Sequence, residues 1–413
     1  MLRNALYFMA LCVLSTALAV VAGCEGETTF SNNPPSGLTI EVSECTIPPG
    51  GSVDLTGAAE DLDGDLIEYR WAANAGSFDP GDAHGATVGW TAPIEPGTYT
   101  ITLYATDGIN EQAHSTEVDV AEPFPNKPTG LVRIANEGNT YIITDPVPVE
   151  IGTATTVVLE AGVDVVVASE TGGLDILGTL IVEGTESDPV SIGPSGCPGE
   201  EATWGGLEFD GADARGDIAH LNLYGSDYGV TATGQAEVFM DSSSVFDAAG
   251  HGISLSDLAT AVLRDVTIWD NGTGGVQAIN SHLTLENCSI RYNRGAGVSL
   301  SGTTAYSITG CLIASNAGDG VTMVSDAAPV INGCTFFFNE PADGTGYAIR
   351  LLFPYAATDS VDARGNYWGA TTAGEIAEKI YDKADDAGLG AYVDFGNWLS
   401  QEPLAVEATR RGR

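Results

Sequence analysis

The residues with most chemical potential lie in the middle of the chain. Asp247 and Asp270 stand a little over twenty positions apart, and His251 follows the first of them closely. Two carboxylates about 5 Å apart are the equipment of a retaining glycosidase, one acting as nucleophile and the other as proton donor. A nearby imidazole could carry a proton. The same aspartates adjoin turn residues, where Asp also serves by hydrogen-bonding its own backbone. Which role applies depends on whether that interval returns the chain to the same place.

An internal repeat says that it does. Leu285, Cys288, Ile290, Asn293, Gly297 and Val298 recur one such interval later as Ile308, Cys311, Ile313, Asn316, Gly320 and Val321. Cys334, Phe336 and Asn339 continue the columns, and Val266, Ile268, Asn271 and Val276 precede them at nearly the same interval. A period of this size with short alternating runs marks a solenoid whose coils bury their apolar faces against one another. A leucine-rich repeat needs a different consensus and often a helical return. Here the alternating pairs Leu283/Leu285, Cys288/Ile290 and Val298/Leu300 are separated by Asn and Gly turns. That spacing predicts three short strands per coil, with coils about 4.8 Å apart. Asp247 and Asp270 then occupy adjacent coils. These columns resemble the right-handed parallel β-helix proteins of the pectin-lyase-like superfamily, which includes polysaccharide lyases, hydrolases and epimerases as well as proteins with no known chemistry.

Gly250-His251-Gly252-Ile253-Ser254 is similar to a segment of the polygalacturonases in that superfamily. Neighbouring coils carry Ala296 and Asp319 where His251 stands, and the paired Asp-Asp and the basic Arg-x-Lys of those enzymes are missing. Outward positions expected on the third strand of each coil are Thr231, Ser254, Gln277, Ser299 and Thr322. On the second strand, Trp269, Arg291 and Phe337 are expected to point outward, where flat rings could stack on sugars or a partner protein. Alternatively, Arg291 covers Trp269 as a cation–π pair.

The N-terminus supplies an address. Arg3 precedes an apolar run from Ala5 to Ala22, ending in Val21-Ala22-Gly23-Cys24. Small residues after such a run mark a signal peptide. This one resembles the bacterial lipobox, which implies Cys24 as the lipid-bearing residue, membrane attachment and, with Glu25 following, outer-membrane delivery. Residues 1–23 are then the signal peptide and 24–36 a tether. The chain holds 56 Asp plus Glu against 15 Lys plus Arg, a formal charge of −41. Such a surface repels nucleic acid and suits cations, high salt or solubility outside the cell. Cys45 and Cys197 have no visible partners, and Cys288, Cys311 and Cys334 are expected as stacked buried thiols.

Residues 37–122 alternate in short runs broken by turn clusters, which predicts a small β-sandwich. Asp61-Leu-Asp63-Gly-Asp65 with Tyr69-Arg-Trp71, and Gly97-Thr-Tyr99 with Asp107-Gly108, resemble PKD or other bacterial Ig-like domains. Asp61, Asp63 and Asp65 could hold Ca²⁺ through carboxylate oxygens, or form a turn that needs no metal; no other cofactor is implied. A linker at 123–129 leads to a β-helix at 130–401. A capping helix is expected over Ile376 to Asp386, and 402–413 is expected as a disordered tail. The fold expected is all-β: a small sandwich, then a right-handed parallel β-helix with a C-terminal cap. The activity expected is binding, adhesion or an envelope-structural role at the cell surface, with a polysaccharide or surface protein as partner. A pectin-lyase-like enzyme is the alternative.

Overall fold

The computed structural model describes residues 32–197, 203–339, 346–355 and 360–403. Cys24, the expected signal peptide, most of the expected tether and nearly all of the expected tail lie outside them.

Residues 36–120 form two facing four-stranded sheets. One carries Ser36–Val42, Ser52–Glu60, Thr87–Thr91 and Ser77–Asp79; the other carries Thr46–Ile47, Glu111–Val120, Gly97–Thr106 and Glu68–Ala73. Period-2 alternation turns Val53, Leu55, Ile101 and Leu103 inward around Trp71 and Trp90. Each indole N–H donates to a backbone carbonyl, Trp71 to Gly85 at 2.9 Å and Trp90 to Ala75 at 3.1 Å, so neither buried donor is orphaned. Leu66 stands in the exposed loop before the strand that carries Trp71.

From Glu122 onward the chain winds into a parallel β-helix of three sheets. The first has eleven strands, from Leu131–Ile134 to Val393–Asp394. The second has ten, from Glu122–Pro123 to Thr335–Phe337, and the third has ten, from Val149–Ile151 to Ile380–Tyr381. Along the regular coils each strand pairs with the third one after it, so the period seen in the sequence is one coil. Leu285 lies beside Ile308, Ile290 beside Ile313 and Val298 beside Val321. One continuous apolar core runs from Phe124 to Val393. Cys288, Cys311 and Cys334 lie within it as free buried thiols; the Cys288 and Cys334 thiols lean on the carbonyls of Leu263 and Ile308.

Two expectations are corrected. Cys45 and Cys197 are partners, forming a disulfide with Cα atoms 5.0 Å apart across 152 residues of sequence. No spacing rule reveals a pair that exists because the sandwich folds back on the opening coils, where Ser195 Oγ also donates to the Thr46 carbonyl. At the far end, the capping helix is one turn, Ala373–Ala377, started by a Thr372/Glu375 capping box. Ile380, expected on that helix, continues the inward column of the third sheet beside Ile349. Asp382 then turns the chain by accepting the N–H groups of Ala384 and Val393, both at 2.7 Å.

Candidate binding edge

The corner between the second and third sheets is built by one residue per coil in the left-handed conformation. Asp247, Asp270, Tyr292, Ser315 and Phe338 have φ of 56°, 54°, 58°, 55° and 44°. Aspartate tolerates this region; tyrosine and phenylalanine rarely enter it. What holds them there is the next residue. Asn271, Asn293, Asn316 and Asn339 are buried and hydrogen-bonded in series, each of the first three donating its side-chain amide to the next Asn Oδ1 at 2.9 Å. Each Oδ1 also accepts the backbone N–H of the Asn one coil earlier, at 3.1–3.2 Å. With the Asn turned in and locked, the residue before it is turned out at the edge.

Asp247 precedes Ala248 rather than an Asn, but the Ala248 N–H donates to Asn271 Oδ1 at 3.0 Å. The same ladder thus turns it out, and Asp247 and Asp270 do come together. Both are exposed, on adjacent coils, and line a groove of about 670 Å³ with Tyr224, Thr203 and Arg294. His251 does not line this groove. It begins a third-sheet strand with its ring close to Gly274, and burial lowers its pKa. The sequence trio is thus a pair plus a separate histidine. Arg294 and Tyr224 are the groove residues that sequence reading missed. The Tyr224 phenol is held protonated, its pKa raised by burial and then by the Asp164 charge.

Trp269, Arg291 and Phe337 lie in one register column of the second sheet, Tyr224–Phe246–Trp269–Arg291–Ala314–Phe337. All three side chains are half-buried. Tyr224 stacks on Phe246 at 5.4 Å and Phe246 on Trp269 at 4.8 Å, with interplanar angles of 12° and 15°. Stacking along the helix axis covers the ring faces and leaves edges outward. Arg291 sits over Tyr292 at 5.9 Å. Phe337 packs edge-on to Tyr367 at 5.4 Å and against Leu312 and Ala314. A more exposed ring directly follows Arg291 and Phe337, Tyr292 at 40% and Phe338 at 72%, whereas Asp270 follows Trp269.

The third sheet carries a second feature. Its outward column begins Glu150–Asp175–Glu208, then runs Thr231, Ser254, Gln277, Ser299, Thr322 and Arg350. Burial and neighbouring carboxylates raise the pKa of Asp175 and Glu208. The signal was present as Val149-Glu-Ile151, Leu174-Asp-Ile176 and Leu207-Glu-Phe209, three apolar–acid–apolar triplets in the opening coils. By contrast, the first sheet neutralises its acids: Arg133, Arg215, Arg264 and Arg364 pair with Glu183, Glu237, Glu286 and Asp362 at 2.7–3.2 Å.

Asp61, Asp63 and Asp65 bring one carboxylate oxygen each within 4.8 Å of one another. Asp61 Oδ1 accepts the N–H groups of Asp63 and Asp65 at 2.9 and 3.1 Å. These bonds brace the turn, while Asp61 Oδ2 is buried with no hydrogen-bond partner and Asp63 takes the Asn33 backbone N–H at 2.6 Å; carboxylate oxygens have the hard character that Ca²⁺ takes.

Comparison with known proteins bears on the two domains separately. The family description "PKD domain" matches residues 37–120, and "Right handed beta helix region" matches residues 205–353. No curated protein sequence matches the chain. Among solved structures, the periplasmic alginate epimerase AlgG is 11% identical, covering 65% of this chain and 76% of its own, with a TM-score of 0.32. The A-module of the Azotobacter vinelandii mannuronan C-5 epimerase AlgE6 is 15% identical, covering 66% and 90%, with a TM-score of 0.25. At these scores neither superposition sets active-site residues in correspondence, and no activity follows from them. The matched regions and the architecture agree: the chain carries a PKD domain followed by a right-handed β-helix region.

Proposed function

We propose that this chain is a non-catalytic polysaccharide-binding protein of the cell envelope, gripping an extended glycan along the corner between the second and third sheets. The observation that carries this reading is the exposure of Tyr292 and Phe338 on left-handed residues two coils apart. Two coils span about 9.6 Å, so the rings can contact successive parts of one extended chain, while Asp270, Arg294 and Ser315 offer hydrogen bonds between and beside them. Aromatic bodies with polar neighbours suit sugars, whose ring C–H faces are apolar and whose rims are hydroxylated. The groove beside them supports binding better than chemistry. Its polar lining, Thr203, Tyr224, Asp247, Asp270 and Arg294, offers hydrogen-bond donors and acceptors to sugar hydroxyls.

The address rests on two supports. The Cys24 lipobox implies a lipid anchor, and the Cys45–Cys197 disulfide suits an oxidising compartment outside the cytoplasm. Affinity gels loaded with neutral and acidic polysaccharides test the reading, with and without Ca²⁺. Retention that falls at least about tenfold in Tyr292→Ala/Phe338→Ala is expected; retention unchanged in that variant overturns the site.

A second reading, a polysaccharide lyase or hydrolase, draws on Asp247 and Asp270 facing one groove with Arg294. New chain ends released from a polysaccharide, and lost in Asp247→Ala, would establish it in place of the binder. If no glycan is retained or cut, a surface protein is the partner class to test next.

A further inference from the structure

The three most exposed large apolar side chains among the described residues are Leu62, Leu66 and Ile109, at 81%, 81% and 78%. All three belong to one end of the sandwich. Leu62 and Leu66 lie in the loop between Ser52–Glu60 and Glu68–Ala73, and Ile109 lies at the tip of the turn between Gly97–Thr106 and Glu111–Val120. Glu68 pairs with Thr106, which brings the two loops side by side.

Two of the acidic residues of these loops, Asp61 and Asp107, are turned back on their own backbones, while Asp63 and Asp65 are exposed. Asp61 takes the N–H groups of Asp63 and Asp65. Asp107 takes those of Ile109 and Asn110 at 2.7 and 2.6 Å, and these backbone hydrogen bonds help hold its pKa at about 2. Asp61 and Asp107 thus brace the two turns while the aliphatic side chains stand clear. The incoming chain is fixed at the same end: Asn32 donates to Asp107 at 2.7 Å, and the Asn33 backbone N–H donates to Asp63 at 2.6 Å. The β-helix leaves from the opposite end, after Val120.

We infer that this end of the PKD domain rests on the lipid bilayer, with Leu62, Leu66 and Ile109 seated in the headgroup–acyl boundary. The inference rests on the reading of Cys24 as lipid-bearing. The chain from Cys24 to Asn32 has a reach of at most about 28 Å, so an anchored Cys24 keeps these loops within one tether length of the membrane. Apolar tips on loops suit that boundary, and their contacts add to the hold of the acyl anchor. Docking also sets direction, because the long strands of the sandwich put the β-helix about 34 Å away from the lipid.

The test uses the full lipoprotein purified from membranes and reconstituted into phosphatidylcholine vesicles. In a Leu66→Cys variant the new thiol is the one open to an environment-sensitive dye, since Cys288, Cys311 and Cys334 are buried and Cys45 and Cys197 are bonded. An Ile94→Cys variant, exposed at the opposite end of the sandwich, is the control. The expected result is flotation with vesicles, a blue shift, and iodide quenching reduced about fivefold or more at Leu66→Cys but not at Ile94→Cys. Adding Leu62→Ser and Ile109→Ser should restore quenching without ending flotation. Flotation with both dyes equally open to iodide overturns the docking while leaving the anchor standing. Failure to float overturns the anchor and the docking together.

Discussion

Asn316→Ala should be among the most damaging single changes in the β-helix, although the side chain removed is small and polar. Asn316 is almost completely buried. Its Oδ1 accepts two hydrogen bonds from Asn293, from the backbone at 3.1 Å and the side-chain amide at 2.9 Å. Its own amide donates to the Ile290 carbonyl at 3.1 Å and to Asn339 Oδ1 at 2.9 Å. Truncation deletes all four and strands partners on both neighbouring coils where water does not reach. At about 1 kcal/mol for each bond lost, with a further penalty for groups left unpaired, the cost is about 4–6 kcal/mol. That is a large part of the roughly 5–15 kcal/mol typical of a domain. Urea unfolding followed by circular dichroism measures it, with Asn222→Ala, half-exposed on the second sheet, as a control expected within about 0.5 kcal/mol of the parent. A double-mutant cycle of Asn293→Ala with Asn316→Ala should show strong coupling, since the two residues share two of the bonds. A loss below about 1.5 kcal/mol, or additivity in the cycle, would refute the claim that the ladder holds the corner.

Three further outcomes are expected. Removing the interdomain disulfide with Cys45→Ser/Cys197→Ser should cost about 2–5 kcal/mol, given the long loop it closes; melting with and without reductant should shift the parent and leave the variant unmoved. Burial raises the Asp164 pKa against a hydrogen bond from Thr140, with the Asp119 charge adding to the rise. A carboxyl of this kind favours the fold below its unfolded pKa of about 3.9 and loses that contribution as pH rises through the folded value. Asp164→Asn should therefore stabilise more at pH 7 than at pH 4, read from denaturation midpoints. Gly297→Val should destabilise strongly, because even a Cβ there would lie 2.9 Å from the Asn316 amide and 2.8 Å from the Gly320 carbonyl; thermal melting checks it.

The periodic part of the fold was open to reading because each coil repeats one solution to the same packing problem. Leu285, Ile290 and Val298 recur in sequence for the reason that they recur in space, and the Asn column recurs because each amide needs the next. Features made once have no such echo. The Cys45–Cys197 bond depends on how the sandwich folds against the opening coils. The short helix at Ala373–Ala377 depends on Ile380 being claimed by the third sheet, where its partner Ile349 belongs to a distant stretch of chain. The opening coils fall between these cases. Their spacing is irregular, so the repeat does not extend the outward column back from Thr231 to Glu150, Asp175 and Glu208, although each sits between two inward apolar residues.

The site turned on a finer point, a displacement of one residue. Strict alternation assigns Trp269 and Phe337 to the outside of the second sheet, and the register agrees. Outward on a solenoid is not the same as exposed, because residues in one column sit about 4.8 Å apart, close to the stacking distance of aromatic rings. Neighbouring rings therefore cover each other's faces, as Phe246 covers Trp269. A ring escapes only where the backbone leaves the strand, and it leaves at the left-handed residue before each buried Asn. Tyr292 and Phe338 occupy that place, directly before Asn293 and Asn339. The ladder that fixes the corner thus selects which aromatics can meet a ligand. Loosening it by Asn316→Ala should weaken any glycan grip at Tyr292 and Phe338 even in molecules that remain folded.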